Sequence, residues 1–206
     1  MLKKTLAWIV LVPVIVGCWI WLYPALRPDH IDPGPYAALG QAAAGETAKL
    51  LHHSGRVVLV DADFGPYKIL APTTDAEITA FKKAIGKAGV KAVGVEKVAV
   101  ARPNLARNGI FMQPGQLSNV IARHPDVAAI VLFVGLAGPD EVGAAPSGKG
   151  PQLVLVSNYE PYYQALTQKH LIQLAIAPRM GADAEQAKAN PPHPPFLVVT
   201  PERAAE

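Results

Sequence analysis

The chain has 206 residues, of which 50% are hydrophobic and 17% charged, with a formal net charge of +3. Beyond an apolar leader, this is enough for one domain of ordinary size, able to bury a core without disulfide staples. The single cysteine, Cys18, lies in that leader, which excludes disulfides, zinc-thiolate sites and a cysteine nucleophile from the rest; basic residues scattered among acids, with no basic run interleaved with aromatics, argue against nucleic acid as a partner.

Lys3 and Lys4 precede a stretch from Thr5 to Leu26 that carries no charge. About 20 apolar residues suffice to cross a bilayer as a helix. Pro13 is tolerated there as a kink, and Trp19, Trp21 and Tyr23 cluster at the far end, as interfacial aromatics do. The positive-inside rule places the amino terminus in the cytoplasm. Residues 1–28 are therefore expected to form one N-terminal transmembrane helix, an uncleaved signal-anchor. Residues 29–36 are then a proline-rich linker, and 37–206 an extracytoplasmic domain on the periplasmic side of a cell inner membrane. Ile15-Val16-Gly17-Cys18 resembles a bacterial lipobox, which would make Cys18 a lipidation point. The continuation "WIWLYPAL" stays apolar, which favours the spanning helix; simple cleavage is a third reading.

Next, "YAALGQAAAGETAKLLHHSG" reads as an alanine-rich helix ending at Gly55. "RVVLVDADFG" is a valine-rich run that reads as a buried strand. "TTDAEITAFKKAIGKAGV" opens on a capping box, Thr74 with Glu77, and carries Ile78, Phe81 and Ile85 at helical spacing up to Gly89. Then follow a strand in "KAVGVEKVAVA", a short helix in "QPGQLSNVIARHPD", and strands in "VAAIVLFVG" and "PQLVLVSN". A helix in "EPYYQALTQKH", with Pro161 in its first turn, leads to strands in "LIQLAIAPR" and "PFLVVTPE".

Strands alternating with helices, several of them apolar throughout, predict a three-layer α/β domain: a mainly parallel, Rossmann-like sheet covered on both faces. In order of elements and in location the chain resembles a single lobe of a type I periplasmic binding protein, a likeness of fold without a shared diagnostic motif.

In such a sheet, ligands bind outside the carboxyl ends of the strands. The residues placed there include Asp61 and Asp63, Gly135 with Leu136, Ser157, Asn158 and Tyr159, and Arg179. Of these, Asp63, Asn158, Tyr159 and Arg179 are the expected contacts to a small polar ligand: carboxylate and amide for hydroxyls, Tyr159 for stacking, arginine for an anion. The same residue types also cap turns and helices, so each has a structural alternative.

"LVDADFG" also resembles the first motif of haloacid-dehalogenase-type phosphatases, and "LVLVSN" the second. The resemblance implies Asp61 as nucleophile, Asp63 as acid/base, Ser157 and Lys169 on the phosphate, and magnesium between the carboxylates and the phosphate. The sequence departs from that pattern at Gly65, where the family has threonine or valine, and at Asp183, which falls in a loop. "GAAPSGKG" nearly spells a phosphate-binding loop but lacks the hydroxyl after Lys149 and the helix that must follow. The six histidines show no metal-binding spacing, and no serine sits in a nucleophile elbow.

These features predict a membrane-anchored accessory or binding subunit, without a cofactor, whose partners are the membrane, membrane proteins and a small polar ligand. The alternatives are a tethered magnesium-dependent phosphatase using Asp61 and Asp63, and a single-lobed solute-binding protein.

Overall fold

The computed structural model describes residues 32–65, 71–100, 111–136, 150–156, 166–179 and 196–204. The chain divides at Asp32/Pro33, and every element named below belongs to the second unit. The expected anchor and Cys18 lie outside the described residues, among which no helix is long and apolar enough to cross a membrane.

In chain order the elements are α1 (Gly34–Leu50), β1 (Arg56–Asp63), α2 (Ala71–Lys87), β2 (Lys91–Ala99), α3 (Gln116–Arg123), β3 (Ala129–Leu132), β4 (Gln152–Val156), β5 (Leu174–Pro178), β6 (Phe196–Val199) and α4 (Pro201–Ala204). The six strands form one sheet in the order β2-β1-β3-β4-β5-β6. β1 to β5 run parallel and β6 returns antiparallel to β5. This is the mainly parallel, Rossmann-like sheet that the apolar strands predict.

β1, β3, β4 and β5 are buried on both faces, which is why they read as unbroken apolar runs. β2 is an edge strand whose residues are half-buried or exposed except Val98. Alternation along each strand divides the interior in two. Val57, Leu59, Val131, Val154 and Ile176 meet α1 and α2. Val58, Val60, Leu132, Leu155 and Ala175 meet α3 and Leu166 on the opposite face.

The first helix is short of its expected end. α1 stops at Leu50, and the turn that follows holds His52 and His53 in the left-handed region (φ 50° and 57°) before Gly55. These histidines therefore lie beyond the helix, not in its last turn. The turn closes by backbone bonds from His52 N–H to Lys49 O and from His53 N–H to Ala48 O.

α1 and α2 run side by side with their ends aligned. Near their starts, a Cβ on Gly40 would lie 2.1 Å from the Glu77 carbonyl oxygen, so only glycine permits this approach. Near their ends, His53 Nδ1 lies 3.3 Å from Ala88 O, and Gly89 lies against the His53 carbonyl. Both helices start at the carboxyl edge of the sheet and finish at its amino edge.

The expected capping box at Thr74 and Glu77 is not formed. α2 already begins at Ala71, so both residues lie inside the helix, buried on the stripe that continues through Ile78, Phe81 and Ile85. Phe81 meets Phe133 edge-to-face, with ring centroids 5.6 Å apart. Across the sheet, α3 is fastened to β2 by Glu96, which pairs with Arg123 and with His124 Nε2 (2.8 Å).

Candidate functional site

β1 ends where its two acidic residues meet different surroundings. Asp61 and Asp63 are two residues apart on a strand and so point to the same face. Asp63 is exposed, and its Oδ1 accepts the Gly65 N–H at 3.1 Å in a turn that holds Gly65 at φ 47°. Asp63, not Asp61, is thus the residue that braces the turn. Asp61 is 2% exposed and sits on the face shared with α1 and α2.

The β1–β2 register sets Lys97 directly beside Asp61. Lys97 Nζ lies 3.4 Å from Asp61 Oδ2. Asp61 Oδ1 is buried and has no hydrogen-bond partner. Burial raises the pKa of Asp61, and Lys97 opposes that rise. On α2, Glu77 is 6% exposed, and burial, followed by the charge of Asp61, pushes its pKa up to about 8.

The sheet order also creates a switch point. β1 leads through α2 to its outer neighbour β2, and the chain then crosses back to lay down β3 on the other side of β1. Ligand crevices of open α/β sheets lie outside the carboxyl ends of strands at such points. Here residues 111–113 span that position. Val100 pairs with Met112 and Phe111 with Gly135, Met112 N–H donates to Gly135 O (2.8 Å), and Gln113 N–H donates to Ala99 O (3.1 Å). Met112 is fully buried there. The ends of β2 and β3 are thereby joined beyond the end of β1.

Arg179 directly follows β5 at the same carboxyl edge. β3 and β4 separate β1 from β5, so Asp63 and Arg179 stand about three strand spacings, or roughly 14 Å, apart. Asn158 and Tyr159, expected beside them, lie outside the described residues, as do Ser157, Asp183 and the loop containing Lys149.

Lys169 is not brought to the aspartates. β4 and β5 are parallel, so the connection between them must return to the amino edge. Residues 166–170 end that return, with His170 N–H on Thr167 O and Leu171 N–H on Leu166 O, just before β5. The phosphatase resemblance therefore loses its phosphate-neutralising lysine. Nor does Asp61 suit magnesium, because its Oδ1 is enclosed and its Oδ2 faces a cation. Among the described residues no group of three metal-ligating side chains occurs.

Sequence reasoning missed Glu77 and Lys97. Glu77 had a legible signal, an acid in line with Phe81 on the apolar stripe. Lys97 had none, since only the β1–β2 register sets it beside Asp61.

No protein-family model and no curated protein matches this chain. Among solved structures it is similar to an ABC transporter solute-binding protein from Burkholderia graminis in complex with D-arabinose. That match has 19% identity and a TM-score of 0.54, and it covers 81% of this chain and 60% of the other. It is also similar to AraP, an arabinose-binding protein from Geobacillus stearothermophilus, at 15% identity and a TM-score of 0.53, covering 82% and 62%. A third likeness is to the XylFII-LytSN complex, at 14% identity and a TM-score of 0.55, covering 82% and 60%. The shared property is the fold. This chain spans about three fifths of the length of those proteins.

Proposed function

We propose that this protein is a membrane-tethered extracytoplasmic binding domain that takes a small polar ligand, of monosaccharide size and hydroxyl content, at the carboxyl edge of its sheet. The observation that carries the reading is the 2-1-3-4-5 parallel order with its switch point at β1, in a fold shared with sugar-binding proteins. Asp63 offers acceptors to hydroxyls and Arg179 offers donors from the far side. Asn158 supplies an amide and Tyr159 an apolar face for a ring. The apolar leader holds the domain on the periplasmic side of the membrane. The geometry at Asp61 does not favour a hydrolase, because that carboxylate is enclosed and the lysine assigned to the phosphate stands at the opposite edge.

The test is a melting experiment on the full chain in mild detergent against a panel of monosaccharides. A ligand that binds only the folded state raises the midpoint as its concentration rises. The expected result is a saturable rise with one or a few sugars, lost in Asp63→Ala and Arg179→Ala, each measured against its own unliganded midpoint. A flat response across the panel overturns the reading.

A second reading, an accessory subunit of a membrane complex, draws support from the likeness to a protein solved in complex with a partner. It predicts co-purification with a stoichiometric membrane protein from mild detergent.

A further inference from the structure

Asp61 Oδ1 lies on the α1/α2 face with no hydrogen-bond partner. Leaving such an acceptor unsatisfied costs about 1–3 kcal/mol, more when it is charged. The buried carboxyl group on the helix over this face is Glu77, whose charge is coupled to that of Asp61. It lies on the sheet-facing stripe of α2, one turn before Phe81, and is buried. A carboxylate has no proton to donate, whereas a carboxylic acid has one.

We propose that Asp61 and Glu77 form an acid–carboxylate pair sharing one proton, with Glu77 as donor to Asp61 Oδ1, and that this proton latches the amino-terminal half of α2 onto β1. The surrounding groups decide which member holds it. Lys97 of β2 faces Asp61 Oδ2 and favours the charge there. Asp75 of α2 adds negative charge near Asp61 and favours retention of the proton; Asp63, two residues further along β1, is exposed. α1 presents Gly40, Ala43 and Ala44 to the interior, with Tyr36 one turn before Gly40. Its Glu46 and Lys49 pair with each other.

Two carboxylates enclosed together repel, which is the general reason that such pairs keep one proton. Loss of the proton to solvent leaves two buried anions and one cation. Because Gly40 lies against the Glu77 carbonyl, α1 and α2 are pressed together at the same turn. The latch is independent of any ligand at the carboxyl edge.

The sign of the pH dependence follows from linkage. Glu77 is raised from 4.5 to about 8, so between those values the folded state holds a proton that the unfolded chain has released. Stability from this group is full below the unfolded value and is lost as pH rises through the folded one.

The test compares the full chain and Glu77→Gln, whose amide donates at every pH, by thermal midpoint from about pH 5 to about pH 9. The wild-type midpoint is expected to fall relative to the variant by several degrees over that range. Parallel profiles overturn the proposal. Carboxyl carbon NMR of the wild type needs no variant: Glu77 should titrate near pH 8, and titration in the ordinary carboxylate range overturns the shared proton. Amide exchange, corrected for base catalysis, should accelerate above that pH more over 71–78 than over 116–123. Equal acceleration overturns the latch.

Discussion

The two faces of the sheet are built from the same strands and differ in what they bury. The α3 face is lined by aliphatic side chains, with Leu132, Leu155 and Leu166 at its centre. The α1/α2 face has an equally apolar middle, but toward the carboxyl edge it encloses Asp61, Thr74 and Glu77. Apolar burial alone would have filled those positions with leucine or valine. One face is held by aliphatic packing with the half-buried Glu96–His124 pair beside it; the other has buried carboxyl groups set into its packing.

The largest expected effect tests whether the two apolar centres are equivalent. Phe81→Ala removes a fully buried ring and its contact with Phe133, for a loss of about 3–5 kcal/mol by urea denaturation. Leu132→Ala on the other face should cost about 2–5 kcal/mol. A loss in either below about 1 kcal/mol would break the symmetry.

Next comes Gly40→Ala. Its new methyl group must move the Glu77 backbone, so the expected loss is about 1–3 kcal/mol. An equal change at Gly45, where open space surrounds the position, should be neutral or stabilising.

Asp61→Asn sharpens the contrast in pH response. It removes the second of the two causes that raise Glu77, while burial, the larger cause, stays. The loss of stability with rising pH should persist but be complete below about pH 8, read from melting profiles.

The smallest effect belongs to Arg56→Ala. Its bond to Asp126 at 2.6 Å joins two exposed side chains, and the loss should be about 0.2–1 kcal/mol, falling with added salt.

Much of the architecture was legible in the sequence, because parallel strands buried on both faces are recorded as apolar runs such as "VVLV" and "LVLV". Strand order was not, since adjacency in the sheet depends on which way each crossover turns. The end of α1 was misjudged for a local reason: glycine at position 55 is a strong stop signal, but two histidines take the left-handed conformation before it. Thr74 and Glu77 fit a capping box by spacing, and the same spacing fits two residues on one buried helix face. Only packing distinguishes them. Asp63 and Arg179 fall at the same edge as expected, because both directly follow parallel strands, whereas Lys169 precedes one.

The reversal of β6 has a practical side. It carries the chain from Pro178, at the carboxyl edge, back beside Ala175, so that α4 begins at the amino edge. Gly34, where α1 starts, is at the other rim. A fluorophore or affinity handle joined near residue 204 would therefore project from the side remote from Asp63 and Arg179. Immobilisation through that point presents the proposed ligand edge outward to solution, the orientation that a surface-binding measurement needs.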